Sequence, residues 1–261
     1  MDDPDLAVLV DHLVAEERWL DALVADLPED RWDTPTPAAG WSVRDQISHL
    51  ADGEELAATA LAEPAAFADR LVAMLGDLDA TLSAAGRRAR QPGERLVGRW
   101  RSERERTVGH LRALDPETRV PWIAGLMSPR SFATARLMET WAHGCDVAAG
   151  VGAPCSVSPR LRHVAHLGVA TRAFTFRNRG LEVPGADVCI ELRAPDGEHW
   201  RWGSVGASDH VRGDALEFCL VVTQRRHVAE TALVVEGPGA TAWMSIAQAF
   251  AGPPTEASRT S

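Results

Sequence analysis

The stretch from Met138 to Gly150, METWAHGCDVAAG, carries the residue types best suited to chemistry in this sequence. When it is placed on a helix at about 100° per residue, four polar side chains fall within an arc of ~80°. These four are Arg136, Glu139, His143 and Asp146. Most of the remaining circumference is apolar or small, which is typical of a buried helix. The polar stripe must therefore find its partners inside the protein.

Glu139 and His143 are one helical turn apart, so both side chains can reach a single point. A carboxylate and an imidazole at this spacing supply two of the three ligands of a His/His/Glu metal site. A Glu–His helical pair without a metal is the alternative interpretation. Arg136 and Asp146 lie on the same stripe and are candidates to orient Glu139 and His143, or else to form a plain buried ion pair.

Composition places the chain among ordinary globular proteins, because 45% of its 261 residues are hydrophobic and 25% are charged. This length suits one large domain or two small ones. A net charge of −10 argues against nucleic acid or an anionic membrane as the main partner. The acidic N-terminus resembles no signal peptide, and no run of about 18 apolar residues occurs. We therefore expect a cytoplasmic protein that acts as a monomer or homodimer.

Lysine and tyrosine are absent from the sequence, which limits the reactions that its side chains can catalyse. All 27 basic residues are arginine, so Schiff-base and P-loop lysine chemistry is excluded, and no tyrosine is present. General acids and bases are thus limited to His, Asp, Glu, Cys or a metal-bound water. The cysteines, which lack any C-x-x-C spacing, are expected to be free and mostly buried thiols. They are Cys145, Cys155, Cys189 and Cys219.

The elements that must position the stripe are helices in the N-terminal part of the chain. Apolar periodicity predicts helices over 4–27, from Ser42 onward, over 67–85, over 94–114 and over 129–149. Together they predict a four-helix bundle with an extra segment. The helix that begins at Ser42 has Asp45 in the capping-box position, and His49 lies at the border of its apolar face. Gly53, one turn later, is expected to leave open space beside His49.

The central helix has its own start and stop signals. Ser128 with Pro129 is predicted to open it, and Gly150 to close it.

The C-terminal part mixes helix and strand patterns. We expect a helix over 158–178, a β-hairpin around the turn 195–197, a strand over 231–236 and a helix over 240–250. Residues 213–224 fit either a strand or a helix, and residues 253–261 are expected to be disordered. The histidines of this part are predicted to be structural, namely His163, His166, His199, His210 and His227.

Two segments carry a family resemblance. WDTPTPAAGWSVRDQISHL (32–50) and ETWAHGCDVAAG (139–150) resemble the DinB-like metal enzymes, in particular the N-terminal domain of mycothiol-dependent maleylpyruvate isomerase. The resemblance implies a bundle that holds a divalent metal, usually zinc, through His49, Glu139 and His143. Many DinB-like relatives use three histidines, so Glu139 favours the maleylpyruvate isomerase branch. The implied fold is α+β, with a DinB-like four-helix bundle over 1–152 and a smaller α+β module over 153–252.

The resemblance extends to the C-terminal segments GDALEFCLVVTQRR and WMSIAQAFAGPP. It favours a helix over 213–224 and implies that Arg225 or Arg226 approaches the active site as a catalytic residue.

Three functional hypotheses follow. The first is an S-transferase or cis–trans isomerase that uses a low-molecular-weight thiol such as mycothiol as a metal-bound thiolate, on a small electrophilic substrate. The metal is expected to be zinc, although the ligand set also suits nickel or iron. An arginine would hold a carboxylate or enolate of the substrate. The second is a metal hydrolase or lyase that uses bound water. The third is a non-catalytic metal-binding protein.

Overall fold

The structure, a computed structural model, describes residues 5–123 and 125–255. The fold is α+β, and it divides into two compact units with the boundary after Ser156. The boundary predicted at residue 152 lies close to this division. Among the described residues, no helix is both long and apolar enough to cross a membrane.

In the described part of the first unit, the regular structure is helical apart from one short hairpin. Its helices are α1 (Leu6–Val24), α2 (Val43–Ala62), α3 (Pro64–Gly76), α4 (Leu78–Ala89), α5 (Gly93–Ala113) and α6 (Pro129–Val151). Its strands, which the sequence did not predict, are β1 (Val120–Trp122) and β2 (Gly125–Met127). Helices α1, α2, α5 and α6 pack against one another as the bundle. A buried core holds them together, including Leu20, Ile47, Leu50, Trp100 and Val147.

The predicted start of α2 is confirmed. Ser42 accepts a hydrogen bond from the Asp45 backbone N–H, and the Asp45 side chain accepts one from the Ser42 N–H in return. The continuous helix predicted over 67–85 is wrong, because the chain breaks at Asp77 into α3 and α4. Asp77 satisfies the start of α4 by accepting a hydrogen bond from the Ala80 N–H at 2.9 Å.

The start of α6 is also as predicted, because the Ser128 side chain accepts a hydrogen bond from the Ser131 N–H and Pro129 occupies the first turn. The predicted end at Gly150 is wrong. The helix ends at Val151, and Gly152 caps it with a φ of 79°, in the left-handed region that glycine adopts most readily. Gly150 serves close packing instead, since a Cβ there would lie 3.2 Å from the Pro35 carbonyl oxygen.

The expectation of four free cysteines is wrong for two of them. Cys145 and Cys155 form a disulfide, with their Cα atoms 4.6 Å apart. The reversal of the chain after α6 explains the pairing, because the Ala153 N–H donates back to the Ala148 carbonyl and returns the chain along the helix. Cys189 and Cys219 are free and buried, as predicted.

The described part of the second unit contains a mixed sheet and four short α-helices. The helices are α7 (Leu161–Ala170), α8 (Arg172–Asn178), α9 (Ala215–Val222) and α10 (Pro238–Ile246). The strands are β3 (Val188–Arg193), β4 (His199–Trp202), β5 (Asp209–Asp214) and β6 (Val234–Glu236). Their order in the sheet is β4-β3-β5-β6, in which β3 and β5 are parallel.

Several predictions for this unit can be compared with these elements. The hairpin of β3 and β4 and the helix α9 are confirmed. The single helix predicted over 158–178 is wrong, because Thr171 separates α7 from α8. The predicted strand over 231–236 is shorter, the last helix ends before residue 250, and β5 was not predicted. Within the predicted disordered tail, residues 253–255 are exposed, and residues 256–261 lie outside the described part of the chain.

Candidate metal centre

The candidate centre lies where α2 faces α6. His49 comes from α2, and Glu139 and His143 come from successive turns of α6. Each offers one ligand atom, and these three atoms all lie within 4.8 Å of one another. Glu139 Oε2 is 3.2 Å from His143 Nε2 and 3.9 Å from His49 Nε2. The structure therefore brings together the three residues that the sequence proposed as ligands.

The cluster is open to solvent on the His49 side. The His49 side chain is 46% exposed, whereas those of Glu139 and His143 are 22% and 14% exposed. Trp41 covers both imidazoles: its ring stacks on His143 at 5.9 Å between centroids and meets His49 edge-on at 5.3 Å. A small molecule can thus reach the cluster, while an indole limits its contact with bulk water.

Gln46 fixes the orientation of His143, a role that the sequence argument did not assign. Its Oε1 lies 2.6 Å from His143 Nδ1. Its Nε2 donates to Thr36 Oγ1 at 2.9 Å. This hydrogen bond identifies the amide nitrogen and so leaves the amide oxygen facing His143. Because a carbonyl oxygen only accepts, Nδ1 carries a proton and Nε2 is the ring nitrogen that faces Glu139. Gln46 is three residues before His49, so its place on the same face of α2 was readable from the sequence.

Glu139 stays ionised at neutral pH. Burial alone raises the pKa of its carboxyl group, but the interactions with His143 and His49 outweigh burial and hold that pKa well below its usual range. The centre thus offers one anionic oxygen and two imidazoles.

Arg136, predicted to orient the ligands, binds Glu54 of α2. Its Nη2 and Nε donate to Glu54 Oε1 at 2.7 and 3.0 Å, and the two side chains are 5% and 0% exposed. The space beside Gly53, expected to border His49, is instead filled by Arg136, whose Nη2 would lie 3.2 Å from a Cβ there. Sequence spacing gave no signal for Glu54, because its partner comes from another helix.

A second carboxyl group adjoins this pair. Burial first, and then the charge of Glu54, raises the pKa of Glu17 of α1 well above its usual range, although nearby arginines oppose the shift. Glu54 and Arg136 therefore form a balanced ion pair next to a carboxyl group that resists ionisation.

The remaining predicted site residues are placed as follows. Asp146 is buried on α6 at 3% exposure. Arg225 and Arg226 belong to the second unit and follow α9, where Gln224 adopts a left-handed backbone with φ of 60°. Arg225 Nη1 donates to the Thr223 carbonyl at 2.8 Å, and Arg226 Nη1 lies 3.8 Å from Glu217 Oε1. The structure thus gives each arginine a partner within its own unit.

The donor set fits a divalent transition metal. Two imidazole nitrogens and a carboxylate oxygen are the ligands of many catalytic zinc sites, which keep a further coordination position for substrate. Gln46 supplies the outer hydrogen bond that metal-binding histidines usually make.

Comparison with known proteins assigns the family. The sequence profile of the mycothiol maleylpyruvate isomerase N-terminal domain matches residues 7–148, which span α1 to α6. The chain belongs to this family. The match covers all three proposed ligands of this maleylpyruvate isomerase-type domain.

Relatives extend over nearly the whole chain. Uncharacterized proteins from two strains of Mycobacterium tuberculosis are 43% identical over 252 residues, covering 96% of this chain and 98% of theirs. A crystal structure of the mycothiol-dependent maleylpyruvate isomerase has a TM-score of 0.61 at 13% identity, covering 91% of this chain and 96% of that one. A histidine-to-alanine mutant of that enzyme has a TM-score of 0.58 at 12% identity, covering 85% and 90%. At these identities the structures establish that the maleylpyruvate isomerase fold is shared.

Proposed function

We propose that this chain is a metal-containing, thiol-dependent enzyme of the maleylpyruvate isomerase type. It would use a low-molecular-weight thiol, such as mycothiol, and act as an S-transferase or cis–trans isomerase on a small electrophilic substrate with a carboxylate. The observation that carries the proposal is the solvent-accessible cluster of His49, Glu139 and His143. Membership of a family named for a mycothiol-dependent isomerase supports the choice of thiol.

The three clustered residues would hold the divalent ion, and zinc suits two imidazoles and a carboxylate best. When bound, such an ion supplies Lewis-acid activation, which lowers the pKa of a coordinating thiol.

The protein's own side chains prepare the site. Gln46 keeps a proton of His143 on Nδ1, so that Nε2 is the nitrogen that would bind an ion. Glu54 holds the Arg136 guanidinium, which leaves the Glu139 carboxylate free to act as a ligand instead of being consumed in an ion pair. Trp41 packs against both imidazoles and restricts their rotation. Asp146 is proposed to support the same polar stripe of α6.

Substrate recognition is proposed to use Arg225 or Arg226. A guanidinium binds a carboxylate through two parallel hydrogen bonds, which fixes the orientation of the substrate as well as its charge. In a chain without lysine, arginine is also the only side chain with a permanent positive charge that can do this.

The test is an adduct and turnover assay on the purified full-length protein. The metal-loaded protein is incubated with mycothiol or a related thiol and a panel of electrophiles that includes cis-configured unsaturated dicarboxylates. Mass spectrometry detects thiol adducts, and NMR detects isomerised substrate. We expect thiol-dependent product in the wild type and none in His49→Ala, Glu139→Ala or His143→Ala, each of which should also lose the metal.

His199→Ala is the matched control, because His199 is an exposed histidine on β4 and should leave metal and turnover unchanged. Turnover that needs the metal but no thiol would replace this proposal with a metal hydrolase or lyase. Full metal occupancy in all three ligand variants would contradict the assignment of the centre itself.

A further inference from the structure

A second group of potential ligands lies on the sheet of the second unit. Cys189 and Glu191 are alternate residues of β3, so their side chains lie on the same face of the sheet. His210 of β5 pairs directly with Cys189 in the parallel register and shares that face. The opposite face carries the buried side chains of Val188, Ile190 and Val211. These three potential ligands therefore share the other face of the sheet, where Cys189 is buried.

The three residues offer a sulfur, a carboxylate oxygen and an imidazole nitrogen that all lie within 4.8 Å of one another. Bond lengths of about 2.0 to 2.3 Å place the ligands of tetrahedral zinc roughly 3.3 to 3.8 Å apart. Binding would require side-chain rotations that bring these atoms closer together. Cys189 is 0% exposed, so a bound ion would be shielded from water on the sulfur side.

The imidazole points to a missing partner. His210 Nδ1 is buried and has no hydrogen-bond partner among the residues that the structure describes. An unsatisfied buried nitrogen is destabilising, so such groups usually bind a proton donor, a water or an ion. Here the neighbouring side chains supply two further metal ligands.

Neighbouring charges are compatible with a divalent cation. Arg212 Nε donates to Glu191 Oε2 at 2.9 Å, and Arg212 Nη1 donates to Glu236 Oε2 at 2.6 Å. One guanidinium thus lies between two carboxylates, and it orients Glu191 through one oxygen while the other remains for a metal. A thiolate from Cys189 and the Glu191 carboxylate together would neutralise a divalent ion.

We propose that Cys189, Glu191 and His210 bind a zinc ion that links β3 to β5. The thiolate makes zinc a better match than magnesium or calcium, which prefer oxygen ligands. The ion would crosslink β3 and β5, which are the one parallel strand pair of the described sheet. The paired positions of these two strands are far apart in sequence. The site is independent of the centre between α2 and α6.

The test uses cobalt as a spectroscopic substitute for zinc. The full-length protein carries His49→Ala and His143→Ala, which remove the first centre, and it is kept unreduced so that the Cys145–Cys155 disulfide stays closed. Titration with Co²⁺ should produce an intense near-ultraviolet thiolate-to-cobalt charge-transfer band that saturates at one ion per chain. Zinc should displace the cobalt and abolish the band.

Cys189→Ser should abolish the band, and Cys219→Ser is the matched control because Cys219 is the other free buried cysteine. Glu191→Gln and His210→Asn should weaken cobalt binding by more than about 100-fold, since loss of a direct ligand should exceed the 10- to 100-fold effect of an outer partner. Circular dichroism verifies that each variant is folded.

No charge-transfer band in the folded starting protein, or a band that persists in Cys189→Ser, would overturn the proposal. Neither result depends on the first centre, which contains no thiol ligand.

Discussion

The ion pair between Glu54 and Arg136 connects the stability of the bundle to the candidate metal centre, and it can be tested by removing one charge. Glu54→Gln keeps the shape of the side chain but leaves the Arg136 guanidinium, whose side chain is 5% exposed, without its counter-ion. Loss of one partner of a buried pair typically costs about 3 to 5 kcal/mol of unfolding free energy. For a unit of this size, each kcal/mol lowers the melting temperature by roughly 2 to 4 °C.

Glu17 should reduce that cost. Burial is the largest cause that raises the pKa of Glu17 and the charge of Glu54 is the next, so removing that charge lowers this pKa and favours Glu17 as a new counter-ion for Arg136. In a protein that already carries Glu17→Gln, we expect Glu54→Gln to lower the free energy of unfolding by about 3 kcal/mol or more. In the wild-type background, where Glu17 can replace the lost charge, the decrease should be about 1 kcal/mol smaller. The assay is urea unfolding at neutral pH of the wild type, both single variants and the double variant.

Metal affinity gives a second measurement on the same proteins. Without Glu54, the Arg136 guanidinium interacts more strongly with Glu139, whose charge already affects it, and competes with the metal for that carboxylate.

Asp11→Asn is the control for the unfolding experiment, because the Asp11–Arg112 pair has a similar distance of 2.8 Å but side chains that are 68% and 53% exposed. That change should cost only about 0 to 1 kcal/mol. If Glu54→Gln costs no more than Asp11→Asn in either background, the buried pair does not have the role assigned to it.

Three further predictions address the ligands, the substrate and the buried carboxyl group. Gln46→Leu should lower metal affinity about 10- to 100-fold in a chelator competition, because His143 loses the acceptor that fixes its tautomer, and unchanged affinity would contradict this role. Arg225→Lys or Arg226→Lys should reduce turnover strongly without loss of metal or fold, because lysine lacks the planar guanidinium that forms two parallel hydrogen bonds. Wild-type turnover in both variants and in the double variant would exclude both arginines from substrate binding. Glu17→Gln should have the same free energy of unfolding as the wild type near pH 4 and a higher one at pH 8. The pKa of Glu17 is raised in the folded state, so the wild type loses stability as the pH rises above the unfolded pKa of about 4.3. Parallel curves of stability against pH for the two proteins would refute this prediction.

Local signals allowed much of the bundle to be predicted from the sequence. Ser42 with Asp45, and Ser128 with Pro129, are start signals that act within one helical turn, and both helices begin there. The spacing of Glu139 and His143 is likewise a local property of α6. The candidate third ligand, His49, depended on the family resemblance, because no spacing rule relates residues on different helices.

The features that the sequence did not predict have a common physical cause, because each depends on contact between distant parts of the chain. Strand β5 has a half-polar sequence and is defined by its parallel pairing with β3, which the local pattern does not reveal. The Cys145–Cys155 disulfide depends on the chain reversal at Gly152. Glu54 gave no local signal because its charge is balanced by a residue on another helix.

The polar stripe of α6 finds partners on one face of α2, and the charges of that seam suit the proposed chemistry. Glu54 and Arg136 cancel each other, and Glu17 resists ionisation, so Glu139 is the carboxylate that determines the charge presented by the centre. Because histidines that bind a metal do so as uncharged ligands, a divalent ion held there would keep a net positive charge and so favour an anionic sulfur or carboxylate as its next ligand. A third histidine in place of Glu139 would leave a larger positive charge and bind anions more tightly. Glu139→His should therefore slow the release of an anionic product even where it preserves the metal, and product inhibition constants would measure that change.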